Sequence, residues 1–182
     1  MFAAAVTEGV QKHPGCGVAI KHFAVNNQET NRYGSNSQVS ERALREIYLR
    51  GFAICVRRAQ PHALMTSYNL LNGQHTSERR DLIQEFLRCE CGYQGIVMTD
   101  WLVAQGMLSN GSRYRPPTAA GIAAAGGDLV MPGGRKDYEN ILRGIKSGKL
   151  TRGQLGINAA RVVRMARKLD KKLNENICDG DE

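Results

Sequence analysis

Gly95-Ile96-Val97-Met98-Thr99-Asp100-Trp101 runs from a glycine, through four apolar or β-branched residues, to an acid beside an indole. The run is too short for a helix and does not alternate with polar residues. A strand looks this way when both faces of its sheet are covered, as in parallel sheets. Three other runs share the form: Val18-Ala19-Ile20-Lys21-His22-Phe23, Ala63-Leu64-Met65-Thr66-Ser67-Tyr68 and Gly127-Asp128-Leu129-Val130-Met131-Pro132. They finish in groups able to do chemistry or shape a pocket: Lys21-His22, Ser67-Tyr68-Asn69, Thr99-Asp100-Trp101 and Met131-Pro132. In a (β/α) barrel, catalytic and binding side chains sit at the C-terminal ends of several strands. Four strands delivering such groups to one end fit that rule. The simpler reading is four unrelated strand-end residues facing solvent.

Segments with helical period separate the runs. Ser40 is placed to cap one, with Val39 and Leu44 as its hydrophobic staple, and Ile47, Tyr48, Gly51 and Cys55 continue that face. Leu82, Ile83, Phe86 and Leu87 mark a second, stopped near Gly92, a natural C′ residue. Tyr138, Ile141, Leu142 and Ile145 mark a third, ended by Gly148, and Leu155, Ala159, Val162, Ala166, Leu169 and Leu173 a fourth. A weaker helical signal covers 118–125. The start, Met1-Phe2-Ala3-Ala4-Ala5-Val6, lacks a basic region and soon meets Glu8, so it reads as part of a helix and not as a signal peptide. Strand and helix alternate through four strands, which predicts an α/β fold with a parallel sheet over residues 1–173 and a polar tail over 174–182.

Composition limits the function classes. The 182 residues are 42% hydrophobic and 23% charged, which excludes a disordered chain, a collagen-like repeat and a disulfide knot. No apolar run approaches the ~20 residues that span a bilayer, so no membrane segment is expected. The formal net charge of +8 admits an anionic partner or simply a solvated basic face. Arg152, Arg161, Arg164, Arg167, Lys168, Lys171 and Lys172 concentrate charge near the C-terminus, but few aromatics and no recognisable motif accompany them, so nucleic acid is not expected as a partner. Five cysteines at irregular spacing argue against a disulfide framework and for a reducing, cytoplasmic location. Cys89-Glu90-Cys91 lacks a second pair, and His13, His62 and His75 show no ligand spacing, so no metal or other cofactor is expected. His62 and His75 read as loop residues.

Asp100 is the strongest chemical candidate. A carboxylate at the edge of a buried strand is costly unless paired. The indole of Trp101 offers a flat apolar face, and an acid beside an aromatic suits sugars, whose C–H faces stack while a carboxylate attacks the anomeric carbon. The same residues also fit an aspartate capping a following helix.

Five blocks carry a resemblance. They are Lys21-His22-Phe23-Ala24-Val25-Asn26-Asn27-Gln28-Glu29 with Arg32; Ser40-Glu41-Arg42-Ala43-Leu44-Arg45-Glu46-Ile47-Tyr48-Leu49; Met65-Thr66-Ser67-Tyr68-Asn69 with Asn72-Gly73; Gly92-Tyr93-Gln94-Gly95-Ile96-Val97-Met98-Thr99-Asp100-Trp101; and Gly126-Gly127-Asp128-Leu129-Val130-Met131-Pro132-Gly133. In content and order they resemble glycoside hydrolase family 3, β-glucosidase type. The resemblance implies a partial TIM-like (β/α) barrel of about four βα units. It implies a retaining β-glucosidase acting at non-reducing β-D-glucosyl ends, with Asp100 as the nucleophile that forms a covalent glycosyl-aspartate. Lys21 and His22 match the pair that binds sugar hydroxyls in the −1 subsite. Tyr68 matches the tyrosine near the nucleophile, Met65 lines the pocket and Trp101 forms its aromatic wall. Lys and His donate to hydroxyls, and a nearby cation favours an ionised carboxylate. Glu29 and Arg32 read as an ion pair that orients their loop.

Departures from the family shape the expectation. Its barrel has about 250 residues, and its first half, which supplies an aspartate and an arginine to the sugar site, has no counterpart here. The acid/base glutamate of β-glucosidase members lies on a following domain. The histidine used instead by N-acetylglucosaminidase members belongs to a KHFPGHG-type strand end, whereas this chain reads Lys21-His22-Phe23-Ala24-Val25-Asn26. The chain therefore reads as the C-terminal half of the barrel, with two open sheet edges that invite a separate N-terminal half or self-association, and with little turnover alone. The alternative function is a non-catalytic remnant of the family that binds carbohydrate or another protein.

Overall fold

The structure, a computed structural model, describes residues 1–105 and 113–170. Leu173, Lys171, Lys172, Cys178 and the tail 174–182 lie outside them. The sheet forms from the predicted runs. Strands β1 (Ala19–Phe23), β3 (Ala63–Thr66) and β6 (Ile96–Met98) are parallel in the order β1-β3-β6. Ala19 pairs with Ala63 and Leu64 with Val97, and the β1–β3 register shifts between Ile20 and Phe23. The Lys21–His22 and Phe23–Ala24 peptides in that stretch are cis. All four β3 residues are buried, as expected for a central strand covered on both faces.

The fourth run is shorter than expected. It joins the sheet through a single parallel bridge from Met98 to Leu129. Flanking glycines and Pro132 confine it, since proline has no N–H to pair. A second small sheet, unforeseen in the sequence, joins β2 (Asn36–Ser37) parallel to β4 (Leu70–Leu71), and β4 antiparallel to β5 (Gln74–His75). Its hairpin turns on Asn72-Gly73 with φ of 51° and 89°, the pair of positive values that a type I′ turn needs.

Helices cover the main sheet. α1 (Phe2–Gln11) is followed after β2 by α2 (Glu41–Ala43), a π-helical turn (Leu44–Tyr48) and α3 (Arg50–Ala59). Ser40 caps α2 as expected, accepting from the Ala43 amide at 3.3 Å. The segment predicted over Leu82 to Leu87 is π-helical, Asp81–Glu90, with Gly92 just beyond it in the left-handed region. α4 (Ala119–Ala125), α5 (Arg135–Lys146) and α6 (Arg152–Leu169) complete the layer. The side chain of Gln11 donates to the Ala59 and Gln60 carbonyls and accepts from the His62 amide, tying α1 to the start of β3.

The core lies between sheet and helices around Phe23, Leu64, Val97, Val56, Ile83 and Leu87. Phe23 packs edge-on against Phe52 and stacked with Phe86, at 5.0 and 6.4 Å between centroids. His62 lies in the loop before β3, as expected, whereas His75 is a strand residue. Both are buried, His62 just before β3 and His75 in β5, where its Nε2 lies 2.8 Å from the Arg115 carbonyl. Among the described residues, no helix is long and apolar enough to cross a membrane.

Gly144 sets how closely α4 and α5 approach. A Cβ there would lie 2.5 Å from the Ala120 Cβ. Glycine to alanine inside a helix ordinarily gains roughly 1 kcal/mol, but overpacking costs about 1–3 kcal/mol. Gly144→Ala is therefore expected to destabilise the chain, measured by urea unfolding. A raised midpoint would contradict this packing.

Candidate active site

The candidate residues gather at the C-terminal ends of the parallel strands. Asp100 follows β6 by two residues and is 7% exposed. The Trp101 amide donates to its Oδ1 at 2.7 Å, and Nε2 of His22, on β1, lies 3.3 Å from its Oδ2. β1 and β6 flank β3 on opposite sides, so their backbones stand about 10 Å apart at ordinary strand spacing. The two side chains meet by leaning over the end of β3. Asp100 therefore holds its carboxylate with one oxygen on a backbone amide and the other beside an imidazole.

Tyr68, just past β3, is buried against this pair, and its hydroxyl donates to the Trp101 carbonyl at 2.9 Å. The backbone of Trp101 thus serves Asp100 through its N–H and Tyr68 through its C=O, while the residue remains 54% exposed and leaves the indole open to a ligand. The Arg32 guanidinium lies 4.6 Å from the centre of the Tyr68 ring, and Tyr33 meets that ring edge-on at 4.7 Å. Arg32 donates to the Tyr33 hydroxyl at 3.0 Å and to Glu29 at 2.8 Å, and Asn26 also donates to Glu29. The expected Glu29–Arg32 pair is present, and it does more than orient its own loop. It places a cation on the face of Tyr68.

The supporting loops are pinned from beneath. The Asn69 side chain donates to the Ala24 and Val25 carbonyls, and Ser67 Oγ donates to the Ala24 carbonyl, fixing the chain as it leaves β1. Thr99 Oγ1 accepts from the Met131 amide, and the Leu102 amide donates to the Met131 carbonyl, joining the end of β6 to the fourth run.

The remaining candidates are placed differently. Met65 is buried in β3 opposite Met98. Lys21 is exposed and lines a groove between α1 and the β1 edge with Phe2, Ile20 and Tyr48, and no hydrogen bond or ion pair joins it to Asp100. Tyr33 was not anticipated. It lies in a loop without periodicity, so only its adjacency to Arg32 could have drawn attention. Among the described residues, no three His, Cys, Asp or Glu side chains gather as metal ligands.

Burial, then the negative charge of Asp100, pushes the Tyr68 phenol above its ordinary 10.0, and burial raises Tyr93 as well. The folded chain then binds more protons than the unfolded chain above pH 10.0, so stability falls as pH rises there. Spectrophotometric titration is expected to show a late tyrosinate component that shrinks in Tyr68→Phe. An unchanged profile in that variant would overturn the assignment.

Comparison with known proteins gives a consistent result. A sequence model of the family described as glycosyl hydrolase family 3 N terminal domain matches residues 1–165. β-Glucosidase B of Emericella nidulans is 36% identical over 171 residues, covering 93% of this chain and 19% of that protein. An exo-α-(1→6)-L-arabinopyranosidase of Bifidobacterium breve is 37% identical over 166 residues, covering 91% of this chain and 20% of its own length. The solved structure of β-glucosidase 3B from Thermotoga neapolitana in complex with α-D-glucose superposes with a TM-score of 0.80 at 37% identity, covering 91% of this chain and 22% of that one. The chain spans about a fifth of the length of the curated relatives it matches.

Proposed function

The chain belongs to the glycosyl hydrolase family 3 N-terminal domain family and has a partial TIM-like (β/α) fold; from that premise we propose that it carries the nucleophile side of a retaining β-glycosidase site, selective for glucose-like pyranosides. The observation that carries the proposal is the Asp100 carboxylate, held between the Trp101 amide and His22 at the mouth of the sheet. Oδ2, free of the backbone amide, attacks the anomeric carbon while the bond to the leaving-group oxygen breaks. This forms a glycosyl-aspartate that water then hydrolyses. As Asp100 loses its charge to the ester, His22, 3.3 Å from Oδ2, is near enough to donate to a sugar hydroxyl. The exposed indole of Trp101 supplies a stacking face. Tyr68, locked to the Trp101 carbonyl and covered by Arg32, keeps that loop in register with Asp100.

Protonation of the leaving group is a separate requirement, met in a retaining pair by a second carboxyl about 5–5.5 Å from the first. An activated leaving group bypasses it. The test is therefore an aryl 2-deoxy-2-fluoro-β-glucoside followed by intact-mass detection and peptide mapping, with the aryl α-L-arabinopyranoside counterpart as competitor. One adduct on Asp100 is expected. An adduct on another carboxylate would overturn the assignment, and no adduct on a cooperatively melting chain would favour carbohydrate binding without chemistry.

A further inference from the structure

At the other end of the sheet, a groove of about 360 Å³ lies between the Asp81–Glu90 helix and α6. Its charged lining is Arg88, Arg161 and Arg164, with Gln84, Gln94 and Cys89 beside them and no carboxylate among the lining residues. One acid stands behind the groove. The side chain of Asp128 is wholly buried and three donors converge on it: Oδ2 accepts from Arg88 at 2.6 Å and from the Val97 amide at 2.8 Å, and Oδ1 from Arg161 at 3.2 Å. Two guanidiniums thus share one buried carboxylate, an excess of one positive charge, and the exposed Arg164 adds a second cation to the lining.

The donors are not exhausted. The Arg88 side chain is only 6% exposed, yet its Nε has no hydrogen-bond partner. Arg164 forms no ion pair among the described residues. The positive excess on Arg88 and Arg161, at 6% and 14% exposure, is costly until an anion compensates it. Guanidinium forks match the oxygens of phosphate in pairs, as an ammonium does not. The groove is larger than a bare oxyanion needs and falls within the range of small-ligand pockets. Ile157 and Ala160 add an apolar wall on which carbon atoms can rest.

We propose that this groove is a second ligand site, remote from Asp100, that takes the phosphate of a small phosphate monoester on Arg161 and Arg164 with its organic part against Ile157. The contacts of Arg88 to the Gly95 and Gly126 carbonyls place the groove where β6 and the fourth run begin, whereas Asp100 lies where β6 ends. Ligands at the two sites need not compete.

The test is calorimetric titration of the whole chain with inorganic phosphate and with glycerol 3-phosphate, at ionic strength held constant with sodium chloride. Saturable binding of both is expected, tighter for the monoester, and about tenfold weaker in Arg164→Gln, whose exposed side chain can be changed without opening the core. Alkylation provides a second measure. Both Cys89 and Cys16 are exposed; glycerol 3-phosphate should slow alkylation of Cys89 but not of Cys16, and protection should disappear in Arg164→Gln. Equal affinity for the two probes would reduce the site to one for free phosphate and overturn the monoester assignment. Heat that does not saturate, or binding unchanged in Arg164→Gln, would overturn the site itself.

Discussion

Asp100→Asn is expected to lower the rate of covalent labelling by the fluoroglucoside at least about 10³-fold, the scale of loss when a nucleophile is removed. The substitution is nearly isosteric. Its amide oxygen still accepts from the Trp101 N–H that now holds Oδ1 at 2.7 Å, and its NH2 faces His22 Nε2, an acceptor when the ring is neutral there. Packing is preserved, and the negative charge that attacks carbon is gone. Thermal unfolding of the variant should stay close to that of the parent, so lost labelling reports chemistry and not collapse. Labelling at the parental rate would place the nucleophile elsewhere.

Asp128→Ala is expected to cost about 3–5 kcal/mol, the penalty for breaking a buried ion pair from one side. Burial pushes the Asp128 carboxyl up and the Arg88 guanidinium down from their usual values, and the attraction between them works against both shifts. Without the carboxylate, Arg88 keeps its charge at 6% exposure with only the Gly95 and Gly126 carbonyls as acceptors, and the Val97 amide loses its partner. For a chain of this size the loss corresponds to a fall in Tm of roughly 6–20 °C. The paired replacement Arg88→Met with Asp128→Leu should recover part of it, because it removes the most buried pair together and leaves only Arg161, at 14% exposure, without its partner. A single variant within about 1 kcal/mol of the parent would show that water reaches Arg88.

Much of the fold was legible because buried parallel strands and their covering helices leave dense local signals. The runs around Leu64 and Val97, the cap at Ser40 and the stops at Gly92 and Gly148 all depend on neighbours a few residues away. The small sheet was missed because its strands have two residues each, too few for any period, although Asn72-Gly73 carried the hairpin signal. Asp81–Glu90 reads as an ordinary helix because closing each hydrogen bond one residue later, i to i+5, still leaves Leu82, Ile83, Phe86 and Leu87 on one face. The strand position of His75 and the burial of both His75 and the loop residue His62 are not legible in sequence, because burial of a lone polar residue depends on what packs over it.

The candidate site divides along the same line. Asp100, His22, Tyr68 and Trp101 could be named from the sequence because each stands at or near the end of a recognisable strand, and the ordered blocks around them identify the family. Their mutual arrangement could not be read there. That His22 reaches Asp100 across β3, that Lys21 lies exposed at the β1 edge, that Arg32 covers Tyr68, and that Arg88 and Arg161 converge on Asp128 are relations between residues about 30 to 80 positions apart. The sequence alone determined the alternation of the main strands with helices and which residues stand at the strand ends, because these depend on side-chain period and turn chemistry over short stretches. Only the tertiary structure decided which charges meet, because sheet register and helix packing set those distances through space.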